Sequence, residues 1–235
     1  MLMLSAELGN ESSLPHVRNA AGLALKNALT AKVRISYPQA LHQRSPPSHR
    51  SHQESARSEE YSNRWLAVAP DTRSKIKHDS LLALGSSSKQ VGTVAAQLVA
   101  AIATVELPNG QWPELVELLL SFMGQSNVNL RVATLQAIGF ICESIVCPLL
   151  LDPEVDFSDY DQDPSVLSQR SNEILTAVVH GARKDEPSSD VQFAAITALK
   201  NSLDFVRDNF EREVRISAVH YHARVPTNSP LPFSG

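Results

Sequence analysis

Four stretches of the chain superpose without gaps: VRNAAGLALKNAL from Val17, VGTVAAQLVAAIA from Val91, LRVATLQAIGFIC from Leu130 and VQFAAITALKNSL from Val191. With the first residue of each as zero, small or apolar residues recur, with few exceptions, at offsets 0, 3, 4, 7, 8, 11 and 12. That spacing gathers them on one broad face of a helix. In the third stretch they are Leu130, Ala133, Thr134, Ala137, Ile138, Ile141 and Cys142. The many alanines let a neighbouring helix approach closely. Between these A helices lie second helical patterns, the B helices. One runs from about Ser62 to Leu84, one begins at Trp112 in WPELVELLLSFM, and one is SNEILTAVVHGARK from Ser171. Pro113 suits a first helical position with Glu114 near the positive end of the dipole. Ser171 and Asn172 can cap the last helix, and Gly181 falls near its end. No stretch alternates with the two-residue period of a half-buried strand. The pattern predicts an all-α stack of antiparallel helix pairs whose A helices start near residues 14, 89, 128 and 189.

The A segments begin at 17, 91, 130 and 191, so their intervals are 74, 39 and 61 residues. HEAT and armadillo repeats run about 40–47 residues. Two segments without helical period account for the excess, Val33–Gln53 and Val146–Gln162, and removing their 21 and 17 residues leaves intervals of 53, 39 and 44. A third such segment follows Glu213 and runs through 214–235. All three start with valine, two of them with Val-Arg-Ile-Ser, and both internal ones end in glutamine. Valine codons begin with GT and glutamine can be CAG, the usual ends of an intron. Two readings therefore stand, translated introns or surface loops, and in both the three segments are expected outside the stacked core.

Composition narrows the functional classes. Apolar residues make up 43% of the 235 and charged residues 20%, the profile of a globular protein. The formal net charge is -4 and no basic stripe stands out, which argues against nucleic-acid binding. No run approaches the roughly eighteen apolar residues of a membrane span, and MLMLSAELGN makes a poor signal peptide. Cys142 and Cys147 match neither a disulfide framework nor a zinc site and read as reduced, packed thiols. There is no P-loop, paired dinucleotide glycines, HExxH or CxxC, so neither catalysis nor a metal or cofactor site is expected. His49 and His52 sit in the first odd segment, and the acidic DPEVDFSDYDQD lacks the Gly and Glu positions of an EF-hand. Trp65 and Trp112 each begin a B-helix pattern, where a large aromatic anchors the stack.

The runs VRNAAGLALKNALTAK, YSNRWLAV, LPNGQWPELVELLL, TLQAIGFICESI, SNEILTAVVHGARKDEPSSDV and AAITALKNSLDFVRDNFERE resemble importin-β, the nuclear import receptor. The likeness covers 1–32, 54–145 and 163–213, and deleting the two internal odd segments restores the family's continuous order. The resemblance implies a right-handed HEAT-repeat solenoid spanning 1–213, with about four repeats and an incomplete end, and the native start missing. It implies a transport receptor, not an enzyme, working in cytoplasm and nucleus and at the nuclear pore. The alternative is a HEAT scaffold or adaptor without a transport role. Two binding surfaces follow from it. Nucleoporin phenylalanine–glycine repeats would bind a groove with Leu175, Thr176 and Val179 on one wall. A Ran-type GTPase would lie on the inner B helices, on Tyr61–Leu84, Trp112–Met123 and Asn172–Lys184, with Arg64 and Lys77 as exposed candidates. Importin-α or cargo is expected only on the full-length receptor, nucleic acid and membrane insertion not at all. Both surfaces are expected to bind weakly, the repeats because the tail after Glu213 replaces the helix that would complete their pocket, the GTPase because the native start and the distal contacts of the arch are missing.

Overall fold

The computed structural model describes residues 1–29, 60–150 and 171–202. They form helices α1 (Leu2–Gly9), α2 (Pro15–Leu29), α3 (60–66), α4 (Pro70–Leu84), α5 (Lys89–Glu106), α6 (Leu115–Met123), α7 (Val128–Leu150), α8 (Ser171–Gly181) and α9 (189–202), with no strand among the described residues. The A row is α2, α5, α7 and α9, starting at 15, 89, 128 and 189. The expected starts hold to within one residue. Segments 33–53, 151–162 and 214–235 lie outside the described residues. At 146 the expected boundary shifts, because α7 continues unbroken to Leu150.

The second row departs from its pattern in two places. The stretch from Ser62 to Leu84 is two helices, not one. Ala69 sits in extended backbone, at φ −51 and ψ 136, as a residue before proline must. That ends α3, and Pro70 then opens α4 where its missing N–H is not needed. Pro113 is not the first residue of a helix, since α6 begins at Leu115 and residues 113–114 form a turn. The cause lies one residue earlier, where Trp112 adopts φ +62.

The A row packs backbone to backbone. A Cβ on Gly92 of α5 would stand 3.4 Å from Ala133 Cβ of α7, and one on Gly139 of α7 would stand 3.1 Å from Ala198 Cα of α9. Helix α5 is enclosed by α2, α4 and α7, which is why it is apolar on nearly every side. By length and composition alone Lys89–Asn109 could cross a membrane, against the expectation that no run would; its apolar faces are instead the core of the stack. The second row is looser: α4 and α6 scarcely meet, although α4 packs on α5 and α6 on α7. Where one row is tight and the other splays, a stack bends toward the tight row, so over α4–α8 the A row is the inner one.

Side chains tie the turns at one edge of the stack. Buried Arg18 donates from Nε to the Leu8 carbonyl at 2.9 Å and from Nη1 to Ser86 Oγ at 2.9 Å, and its Nη2 pairs with Glu11 at 2.7 Å. Asn129 Nδ2 donates to the carbonyls of Ser86 and Ser87 at 3.1 and 3.2 Å. Arg131 makes a two-pronged pair with Glu186 in the α8–α9 turn. Each turn is thus held by the first turn of a neighbouring A helix.

Candidate functional site

Helix α8 divides its faces sharply. Ile174 and Val178 are buried against the A row, and Gly181 lets the helix end close to Ala195. Leu175 is half-buried, Thr176 is exposed, and Val179 is 51% exposed. Leu175 and Val179 are one turn apart, so both lie off the core face. Of the three residues named for the repeat-binding wall, Thr176 and Val179 are exposed and Leu175 is partly covered. An apolar crevice lies behind them, where Ile174 meets Val116 and Leu120 of α6 and Ile138 and Cys142 of α7. Its lining is wholly apolar and its free space is only about 10 Å³, so it is a packing crevice with neither room for an aromatic ring nor a group for bond-making chemistry.

The two candidate cations part company. Arg64 is exposed on α3, its guanidinium 5.7 Å from the Tyr61 ring centre. Lys77 is not a free surface cation, contrary to expectation. Its side chain is 16% exposed, its Nζ pairs with Glu106 at 2.8 Å, and it stacks 4.9 Å from the Trp112 ring centre. Glu106 has no exposed surface and gathers three donors: Lys77, Arg73 Nη1 at 3.0 Å and Trp65 Nε1 at 3.1 Å. A buried carboxylate holds its charge only with such partners. Both tryptophans are buried, the core role expected of them. The sequence reading missed Glu106, whose one available signal was an acidic residue closing an otherwise apolar helix.

Chemistry beyond binding finds no support among the described residues. No group of three metal-ligating side chains comes together there. Burial pushes the Cys142 thiol up to about 12, so it stays protonated and unreactive near neutral pH. His49, His52 and the acidic stretch 152–163 lie outside the described residues.

No family model matches the chain. Importin subunit beta-1 of Schizosaccharomyces pombe is 40% identical to it over 231 residues, covering 98% of this chain and 22% of that protein. The chain belongs to the importin-β family. Among solved structures, one of Kap95p, whose binding makes the switch loops of RanGDP adopt the GTP-bound conformation, matches at TM-score 0.67 and 32% identity, over 92% of this chain and 21% of that one. A Kap95:Nup1 complex matches at TM-score 0.67 and 31% identity, over 97% of this chain and 23% of that one. The importin-β likeness makes the fold a HEAT solenoid. The chain spans about a fifth of the length of the curated relatives it matches.

Proposed function

We propose that the chain is the GTPase- and nucleoporin-binding part of a nuclear import receptor, acting in cytoplasm and nucleus and at the nuclear pore. The observation that carries this reading is the 40% identity to Importin subunit beta-1 over 98% of the chain. Importin-β relatives held with RanGDP and with Nup1 supply the partner classes, a Ran-type GTPase and nucleoporin phenylalanine–glycine repeats. Importin-α or cargo would engage other parts of the full-length receptor. The mechanism is partner exchange, in which GTPase binding favours a curvature of the array that releases cargo.

The two partners would use opposite faces. Leu175, Thr176 and Val179 stand on the outer row, where an exposed apolar wall can take a Phe ring and release it quickly. The GTPase would lie on the inside of the bend. The close packing of α2, α5 and α7 favours the A row for that role over the B helices first expected to carry it. Arg64 lies on α3 of the other row and Lys77 is engaged by Glu106, so neither is proposed as a contact on that face. Pull-down with GTP-loaded against GDP-loaded Ran-type GTPase tests the reading. Preference for the GTP form supports it, and equal or absent binding of both favours a HEAT scaffold without a transport role. Val179→Asp would place a carboxylate in the apolar wall and weaken phenylalanine–glycine peptide binding about ten-fold or more, as fluorescence anisotropy would record.

A further inference from the structure

Where α4 and α6 splay apart, one buried carboxylate ties α3, α4 and α5 together beside the turn that leads into α6. Glu106, the last residue of α5, accepts from Trp65 of α3 and from Arg73 and Lys77 of α4. Its own carbonyl accepts the Gln111 N–H at 2.9 Å, and the Gln111 side chain accepts in turn from Arg73. Arg73 Nε also donates to the Val68 carbonyl at 3.2 Å, pinning the break between α3 and α4. On the far side Lys77 covers the Trp112 ring, and Trp112 is held at φ +62, a conformation that a bulky residue adopts only when its surroundings over-determine it. Residues 107–114 are the whole connection from α5 to α6.

We propose that Glu106 is a latch that fixes the angle between the α4–α5 pair and the α6–α7 pair, and so sets the local curvature of the solenoid. The proposal does not depend on which partners the chain binds. With the charge in place, Arg73 and Lys77 clamp α4 to the strained 110–112 turn. With it removed, the two cations repel, Trp112 relaxes out of its left-handed backbone, and α6 swings on a joint that has little packing of its own. The A row, interlocked at Gly92 and Gly139, stays assembled and acts as the hinge backbone.

The test is Glu106→Gln in the whole chain, which keeps the shape and an acceptor for Trp65 while removing the charge. Spin labels on exposed Ser74 of α4 and Ser121 of α6, in a Cys142→Ala, Cys147→Ala background, report the joint; labels on Ser121 and His180 of α8 report a neighbouring one. The α4–α6 distance distribution should broaden about two-fold and the α6–α8 one stay as it was. Amide exchange across 107–114 should quicken about ten-fold together with that of 65–73. An unchanged α4–α6 distribution in a folded variant overturns the proposal, and so does equal broadening at both pairs, which would mean general loosening. Should Glu106→Gln lose helix by circular dichroism, Lys77→Gln carries the test. That change leaves Trp65 and Arg73 on the carboxylate and should give the same selective broadening, smaller in extent; its absence overturns the latch.

Discussion

The α5–α7 crossing and the α4–α6 joint lie back to back in the same two repeats, and they are made of opposite materials. The crossing is glycine and alanine pressed against each other, with Gly92 facing Ala133 at van der Waals distance. It gains dispersion from many close contacts and tolerates almost no change of volume. The joint has little surface contact and is held by Glu106, Arg73, Lys77 and Trp65, whose attraction depends on charge and orientation. A stack built this way is stiff along one row and adjustable along the other. Shape complementarity keeps the repeats in register, while a few buried polar groups decide how far they bend.

The strongest way to break that contrast is to force the tight row apart. Gly139→Leu would drive a side chain into the α9 backbone at Ala198 Cα, a neighbour that cannot rotate away. Destabilisation of about 3 kcal/mol is expected in urea denaturation, with a lower midpoint and an unchanged slope. A loss under about 1 kcal/mol would mean that α7 and α9 slide freely, and the stiff-row picture would fail.

A smaller effect sharpens the polar side of the comparison. The Arg131 guanidinium holds the Glu186 carboxyl below its ordinary 4.5, aided by the Ser188 N–H. Because the folded form has the lower pKa, the pair's contribution is fully present above that ordinary value. It is lost as the pH falls through the depressed one. Arg131→Met would therefore cost about 2 kcal/mol at neutral pH, since Glu186 is 5% exposed and would be left unpaired. The gap between the two stability curves should close in acid. A gap that stayed constant down to strongly acidic pH would assign the loss to packing of the Arg131 stem.

How much of this was readable beforehand follows from what each feature depends on. The A row was legible almost to the residue, because its faces are bought by a period that survives in one-letter code: Val91, Ala95, Leu98 and Ile102 announce a helix whatever surrounds them. The off-core position of Leu175 and Val179 was not legible from the residues alone: their spacing put them on one helix face, but only the family resemblance pointed that face away from the core. The break at Pro70 carried its own signal, a proline inside a helical pattern, and was read through. Lys77 and Glu106 were not legible. They are 29 residues apart, and only the stacking of α4 on α5 brings them within 2.8 Å. Trp112 was seen as core, but its left-handed backbone has no composition cue. It sits where the Gln111 N–H bonds the Glu106 backbone carbonyl and Lys77, held by the Glu106 carboxylate, covers the ring.

The smallest expected effect marks where polar contacts cease to matter. Lys89 and Asp190 pair at 2.6 Å across the starts of α5 and α9, spanning more sequence than any other ion pair described, and both are more than half exposed. Water competes for each charge at every moment, and two long side chains lose rotamer freedom to meet. Lys89→Ala should shift stability by less than about 0.5 kcal/mol, and 150 mM salt should erase what remains. Distance and sequence separation would suggest a clamp as firm as Arg131–Glu186; burial says otherwise, since that pair is 14% and 5% exposed. A Lys89→Ala loss above about 1 kcal/mol at that salt concentration would show that the edge of the stack is dry in solution. The division between a packed row and a latched row would then have to include its rim.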